Sequence, residues 1–534
     1  MGAQCGSLPF TYDGGEVVNV TFGKFDQKKS NIMRYRQQQA VNLGSWFVLE
    51  PWMTPSLFVC ANGNKSAELD VANGWGGVDK AKMLLEKHWD TFINESDFEY
   101  LSSVGINTVR IPIGYWTLGP DFVADTPFAN VSSVYNSSYP RLLRAISQAA
   151  QYDIGVIVDL HGAPGSQNGQ PSSGVSTGAV ELFQNETYLQ QTVDALTFLV
   201  KELAPVTNVV GIQLLNEPEP NDQLEGWYTQ TLATLRGVSD EAKNLPLYVH
   251  DAFDITRFAS FVGQRDDFVV EDHHACTKNQ FNARDEPEDG TNEAAVSATE
   301  FGDHLAIAAD TAHRNLIIGE FSCALANSSI PEGENATTAR KEFCDAQLRA
   351  YQNVSAGWGF WGYKQENCTE GWCFIGAVGR SLPSMFSSYS SDFPINASLA
   401  QSSSSPAPSA SASTSISDLL TSLTPPSLDS ILSGATNAHS VRAPPLRHAL
   451  AKGYSDGFET ARSFAEMNLS KLGFVSQYVE DSIKAMEKMG DQTLKAGQED
   501  AYRTWFAKVC LHQSIISVLN LIVNDLIMPG SRRR

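Results

Sequence analysis

Positive charge is scarce in this chain: 38 Lys and Arg stand against 60 Asp and Glu, a formal net charge of −22 over 534 residues. Such a field repels nucleic acid and anionic lipid, so neither is an expected partner, whereas a neutral substrate is compatible with it. No run reaches the roughly 20 apolar residues of a membrane span. The stretch Ile515–Ile527 is apolar, but Asn520, Asn524 and Asp525 interrupt it, and it reads as a packed amphipathic helix. The N-terminal MGAQCGSLPF shows no apolar core of a signal peptide, and glycine at position 6 breaks the myristoylation pattern. The eight cysteines form no repeated CxxC array, which argues against structural zinc. His residues show no HExxH spacing, and no Gly-rich phosphate loop follows the first strand-like run.

What is present divides the chain by composition. Apolar content of 42% is enough for a large core. Four regions are expected: an N-terminal extension (1–34), a mixed, aromatic-rich domain (35–395), a Ser/Pro/Ala-rich linker (396–445) and a helical region of unknown role (446–534). The linker, headed by SSSSPAPSASAS, has too little apolar surface to order itself. Helical periodicity returns in ETARSFAEM and DSIKAMEKM. Cys368 and Cys373 are the best disulfide candidates, being close together in one loop-like segment. Twelve N-x-S/T sequons (Asn19, Asn64, Asn94, Asn130, Asn136, Asn185, Asn327, Asn335, Asn353, Asn367, Asn396, Asn468) favour a secretory history. An extracellular or cell-wall location is therefore expected, with the cytoplasm as the alternative because no signal peptide is visible.

The large domain has a rhythm. Strand-like runs recur as VNLGSW (41–46), INTVRIP (106–112), GVIVDLHG (155–162), VVGIQLLNEP (209–218), PLYVHDAF (246–253), DFVVEDHH (267–274), NLIIGEFS (315–322) and GWGFWGYK (357–364). Helical patterns such as TFINESDFEYLSSVG and YLQQTVDALTFLVKEL lie between them. Eight short apolar runs alternating with helices predict a closed parallel (β/α)8 barrel rather than an open doubly wound sheet.

Active sites of such barrels sit on the rim formed by the C-terminal strand ends. The polar residues at these run ends are Arg110, His161, Asn216, Glu217, Asp251, His273, His274 and Glu320, with Trp361 beside them. Two of the runs deliver a glutamate, Glu217 after the fourth and Glu320 in the seventh. Either alone could merely cap a strand or pair with an arginine. Two carboxylates aimed at one cleft are what glycosidic bond cleavage needs. Carboxylates suffice for that chemistry, so no metal or organic cofactor is expected.

At this point the chain resembles glycoside hydrolase family 5 and, within it, the fungal exo-β-1,3-glucanases. The resemblance covers roughly residues 35–395 and is carried by VNLGSWFVLEPWMTPSLF, INTVRIPIGYW, DLHGAPGSQNG, LLNEPEP, IIGEFS and GWGFWGYKQEN. It implies that Glu217 is the acid/base and Glu320 the nucleophile of a retaining mechanism, with carboxyl groups about 5 to 5.5 Å apart. The charge of Glu320 would hold Glu217 protonated. Arg110 would keep Glu320 ionised, Asn216 would bond the sugar 2-OH, and His161 would contact hydroxyls of the bound glucose. Trp361 would lie under the sugar ring, and Glu50 resembles a glucose-binding carboxylate. His273 and His274 would support the site.

The implied activity is that of a monomeric exo-β-1,3-glucanase releasing glucose from non-reducing ends of β-glucan or glucosyl oligosaccharides in cell-wall glucan metabolism. The alternatives are a glycosidase of another linkage (β-1,6 or β-1,4 glucan, or a glycolipid) or a catalytically weakened glucan-binding barrel. The last is motivated by one departure from the family pattern. EDHHACTKNQF places Cys276 where the family carries a Tyr whose hydroxyl bonds the nucleophile.

Overall fold

The computed structural model describes residues 5, 11–14, 17, 20–275, 293–325, 329–330, 332–352, 354–387, 444–468, 470–490, 494 and 497–511. Cys276, most of the segment 396–445 and the stretch Ile515–Ile527 lie outside the described residues. The chain divides into two compact units, Met1–Arg34 with Gln38–Leu399, and Tyr35–Gln37 with Ala400–Arg534.

In the first unit the strands are β1 (Gln38–Asn42), β2 (Thr108–Gly114), β3 (Gly155–Gly162), β4 (Val209–Gln213), β5 (Leu247–His250), β6 (Val269–His274), β7 (Leu316–Phe321) and β8 (Gly357–Phe360). They pair in sequence order, all parallel, and β8 returns to β1 to close the barrel. Every strand residue is buried, which is why each strand reads as a nearly continuous apolar run.

The longer helices that follow the strands are α1 (Val78–Thr91), α2 (Glu95–Ser103), α3 (Ser138–Gln151), α4 (Glu186–Leu203), α5 (Leu224–Arg236), α6 (Ile255–Gly263), α7 (Glu293–Thr311) and α8 (Ala336–Gln352). Helix α3 buries Leu142, Ala145, Ile146 and Ala149, a stripe at i, i+3, i+4 and i+7 that packs on the barrel. Several starts are fixed by side-chain caps, one of them by Asp254 Oδ1 accepting the Arg257 N–H before α6. Asn94 Oδ1 accepts the Ser96 N–H at 3.0 Å before α2, and Asn185 Oδ1 accepts the Thr187 N–H at 2.9 Å before α4.

One boundary differs from the sequence reading. The first strand starts at Gln38, three residues before the VNLGSW run, because the barrel interior accepts polar groups there. Gln38 Nε2 donates to the Tyr248 hydroxyl at 2.6 Å inside the barrel. Leu43 and Trp46 are buried in the loop after the strand, so apolarity marks burial here and not ladder pairing.

A break in register shapes the rim. His273 pairs with Ile318, but His274 pairs with Glu320, skipping Gly319. This bulge turns His274 and Glu320 toward each other. A side chain at position 319 would meet Asp272 Oδ1 at 2.0 Å, so glycine is required for the close approach.

The second unit contains α9 (Pro444–Ala465), α10 (Val475–Lys488) and α11 (Glu499–Leu511). Gly453 and Gly457, one turn apart on α9, let the α11 backbone approach. A Cβ at either would meet Tyr502 O at 2.4 Å or Phe506 O at 2.9 Å. Helix α10 buries Val475, Val479 and Ile483 and is tied to α11 by Arg503 and Glu480.

Among the described residues three disulfides form: Cys5–Cys60, Cys323–Cys344 and the expected Cys368–Cys373. None of the described helices is long and apolar enough to cross a membrane.

Candidate active site

The site is built on the inward-facing residues of β2, β3, β6 and β7 and on the loops that follow β1, β4 and β8. Alternation along a strand places Asp159 and His161 on one face of β3, and Asp272 and His274 on one face of β6. Arg110 on β2 occupies the centre and is 2% exposed. Its Nη1 donates to Glu320 Oε1 at 2.7 Å and to Asn42 Oδ1 at 3.1 Å. Its Nε donates to Gln213 Oε1 at 2.8 Å. Its Nη2 donates to Asn216 Oδ1 at 2.8 Å and pairs with Asp159 Oδ2 at 3.0 Å. The guanidinium therefore fixes the nucleophile candidate and Asn216 together.

The two glutamates are not placed as strand termini. Glu320 lies within β7, and Glu217 stands in the loop beyond β4, which ends at Gln213. Pairing persists irregularly past that end, with the Asn216 N–H donating to Leu160 O at 3.1 Å. Glu217 itself has a φ of +43°, a left-handed backbone that is strained for a residue with a side chain. Strain of this kind is tolerated where surrounding contacts fix it, here by aiming the carboxyl back over the barrel.

His274 links the pair. Its Nδ1 lies 2.8 Å from Glu217 Oε1 and 3.5 Å from Glu320 Oε2. The two carboxylate oxygens cannot be further apart than the sum of these contacts. That bound includes the roughly 5 to 5.5 Å of retaining glycosidases and falls below the roughly 6.5 to 9.5 Å of inverting ones.

The charge distribution differs from the expectation that Glu320 would hold a proton on Glu217. Burial alone would raise the Glu217 carboxyl, but the hydrogen bond and charge of His274 pull it down to about 2. Burial opposes charge on His274 too, yet Glu320 and Asp272 hold the ring protonated well above its usual range. Burial pushes the Glu320 carboxyl up, opposed by His274 and Arg110. The electrostatics of this cluster thus favour the proton on His274, between the two glutamates.

His161 and Trp361 form one wall. His161 Nδ1 meets Asp159 Oδ2 at 2.7 Å, which places the proton on Nδ1 and leaves Nε2 facing Asn216 Nδ2 at 3.4 Å. The His161 and Trp361 rings are parallel, with centroids 5.9 Å apart. Gly44 of the GSW motif makes room for the indole, since a Cβ there would meet the Trp361 ring at 3.1 Å.

Glu50 receives the Trp52 Nε1–H at 2.6 Å, and burial pushes its carboxyl up to about 7 despite nearby His161. Glu50, Trp52, Asn168, Glu217 and Phe253 line a cavity of about 450 Å³, within the range of small-ligand sites. Trp52 and Phe253 are 43% and 38% exposed at its mouth, as faces on which a ring can stack.

Not every expected residue joins this group. His273 points to the outer side of β6, where its Nδ1 meets Asp251 Oδ2 at 2.5 Å, so both residues belong to the barrel wall rather than the cavity. The alternation that brings His274 inward turns His273 outward.

Other groups emerge only from the contacts. Asp159 bridges Arg110 and His161, and Asp272 backs His274. Gln167 Nε2 donates to His161 O at 2.7 Å and Asn216 O at 2.9 Å, tying the two rim loops together. Their signal in the sequence was position: each lies two residues before a rim histidine or inside the DLHGAPGSQNG stretch.

Glu217, His250 and His274 offer ligand atoms within 4.8 Å of one another. Proton chemistry describes the cluster better than cation binding does. His250 Nδ1 accepts the Ala252 N–H at 2.9 Å, so its proton sits on Nε2, and burial keeps the ring neutral with its pKa down to about 4. His274, held as a cation by its carboxylates, would have to lose a proton to ligate, and the lone pair of His250 Nδ1 is already taken by the Ala252 N–H.

Comparison with known proteins bears on the family and the fold. Residues 78–367 match the family described as Cellulase (glycosyl hydrolase family 5). Glucan 1,3-beta-glucosidase 3 of Schizosaccharomyces pombe is 34% identical over 344 residues, covering 63% of this chain and 71% of the relative. Probable glucan 1,3-beta-glucosidase A of Emericella nidulans is 33% identical over 365 residues, covering 62% and 86%. Among solved structures, rutinosidase from Aspergillus niger superposes with a TM-score of 0.50 at 18% identity, covering 65% of this chain and 98% of that one, a likeness of fold.

Proposed function

The chain belongs to glycosyl hydrolase family 5, and from that premise we propose that it is a retaining exo-β-1,3-glucosidase, releasing glucose from the non-reducing ends of β-glucan. One observation supports the reading: His274 Nδ1 lies 2.8 Å from Glu217 Oε1 and 3.5 Å from Glu320 Oε2, so these two oxygens are closer than the carboxyl groups of an inverting pair. Glu320 attacks the anomeric carbon while Glu217 gives a proton to the departing oxygen. Glu217 then removes a proton from water, and the hydroxide displaces Glu320.

Arg110 holds the attacking oxygen in place and compensates its charge. Asn216, oriented by Arg110 and His161, is positioned for the sugar 2-OH, a contact that strengthens in the transition state. His161, Trp361 and Glu50 bind the terminal glucose, and the exposed Trp52 and Phe253 receive the rest of the chain at the cavity mouth. The neutral substrate suits a protein of charge −22. Three disulfides and a dense set of sequons support an oxidising, extracellular or cell-wall location.

Incubation with laminarin, followed by product analysis, tests the reading. Glucose released from the outset as its β-anomer is expected. Long oligosaccharides would overturn exo action, and initial α-glucose would overturn retention.

A further inference from the structure

Directly beneath the glutamate pair lies a buried carboxylate to which the two-step displacement gives no part. Asp272 on β6 is 0% exposed, and among the described residues its oxygens have no well-formed hydrogen bond beyond the long approach of His274. It contacts His274 Nε2 at 3.4 Å and lies in the niche that Gly319 leaves open. A charge taken out of water without hydrogen bonds is costly, and only opposite charge nearby offsets it. Burial alone would raise this carboxyl, but His274 and Arg110 hold it below its usual range. The opposite edge of the same imidazole faces Glu217 at 2.8 Å and Glu320 at 3.5 Å. Asp272, His274 and Glu217 thus form a line from the barrel interior to the cavity.

Given the roles of Glu217 and Glu320 proposed above, we propose that Asp272 is a positioning residue that holds His274 as an imidazolium, the proton reserve from which Glu217 is charged. The groups facing His274 are Glu217 from the loop after β4, His250 from β5, Asp272 from its own strand and Glu320 from β7. Arg110 on β2 faces Asp272 from across the barrel, and Asp159 and His161 on β3 complete the ring of charge around that arginine.

The proton count closes over one turnover. At rest His274 carries the proton and both glutamates are ionised. As the first step begins, Nδ1 passes its proton to Glu217. Glu217 gives it to the glycosidic oxygen while the bond from that oxygen to the anomeric carbon breaks and the ester to Glu320 forms. Esterification removes the negative charge that contributes most to holding the proton on His274, so the ring releases its proton as Glu320 is consumed. In the second step water gives a proton to Glu217 and hydroxide to the anomeric carbon, freeing the Glu320 carboxylate. The restored charge draws the proton back to His274. Asp272 is the charge in this line that no step consumes, and it sets how far up in pH the reserve lasts.

The test compares Asp272→Asn with the wild-type full chain on two substrates. Laminaribiose has a leaving group that needs a proton, and 2,4-dinitrophenyl β-glucoside has one that does not. With the variant, the alkaline limb of kcat/KM on laminaribiose is expected to move down by about one pH unit, a loss of about tenfold at pH values above the wild-type limb. The acid limb and the rate on the dinitrophenyl substrate stay near the wild-type values. An equal loss on both substrates, or an unmoved alkaline limb, would show a merely structural part for Asp272.

Should the variant fail to fold, ¹⁵N chemical shifts of the histidines in the wild type decide. His274 is expected to be protonated at pH 8, and a neutral ring there overturns the reserve. A wild-type enzyme inactive on both substrates would instead refute the roles of Glu217 and Glu320.

Discussion

At the scale of single residues, Arg110 does the most to order the site. Five contacts converge on it, two of them with the buried carboxylates Asp159 and Glu320. Removing the cation while leaving both carboxylates is the costly direction, because each is then a buried charge without compensation. Arg110→Met is expected to lower unfolding free energy by about 3 to 5 kcal/mol and to abolish glucose release. Denaturant titration checks the first and a laminarin assay the second. A variant as stable as the wild type would mean that Arg110 is not the counter-ion the contacts describe.

The sequence pointed to Arg110, His161, Asn216 and both glutamates because they follow apolar runs that only buried parallel strands produce. It did not single out Asp159, Asp272 or Gln167, although each lies close in sequence to a rim histidine, because their links to Arg110 and Asn216 exist only in the folded barrel. It also placed His273 beside His274 without showing that strand alternation sends the two rings to opposite sides of the wall.

Among the elements, β6 and β7 decide whether the pair is poised. The register shift at Gly319 aligns His274 with Glu320, and the missing side chain leaves space for Asp272. Gly319→Ala would drive a Cβ into Asp272, forcing the strand or the carboxylate to move. The expected result is a folded protein whose kcat falls by at least about tenfold, since misplacement near 1 Å can cost a hundredfold. Circular dichroism together with steady-state kinetics checks both halves, and an unimpaired kcat would show that the bulge is incidental.

Strand order and number were readable from the eight apolar runs, whereas this bulge was not. A glycine before a glutamate looks the same in sequence whether the ladder is regular or shifted. The start of β1 was hidden for a related reason: Gln38 and Gln39 are polar yet buried, Gln38 inside the barrel.

For the whole molecule, an acidic composition and three disulfides among the described residues frame the catalytic unit. Cys323–Cys344 joins the segment after β7, which carries Glu320, to helix α8, closing a loop with a sequence separation of 21. A loop of that length removes unfolded-state entropy equivalent to about 3 kcal/mol. Cys323→Ser is expected to lower the stability of the barrel by roughly 2 to 4 kcal/mol, read as a lower Tm with little change in KM. An unchanged Tm would indicate that the bond does not form in the isolated protein.

The central claim is that Glu320 is the nucleophile of a retaining glucosidase. Trapping it with 2-deoxy-2-fluoro-β-glucosyl fluoride tests this most directly, with mass spectrometry of the digested protein. The expected result is a single fluoroglucosyl ester on the peptide bearing Glu320, formed as activity is lost. An adduct on Glu217, or full inactivation with no covalent sugar on either glutamate, would contradict the account.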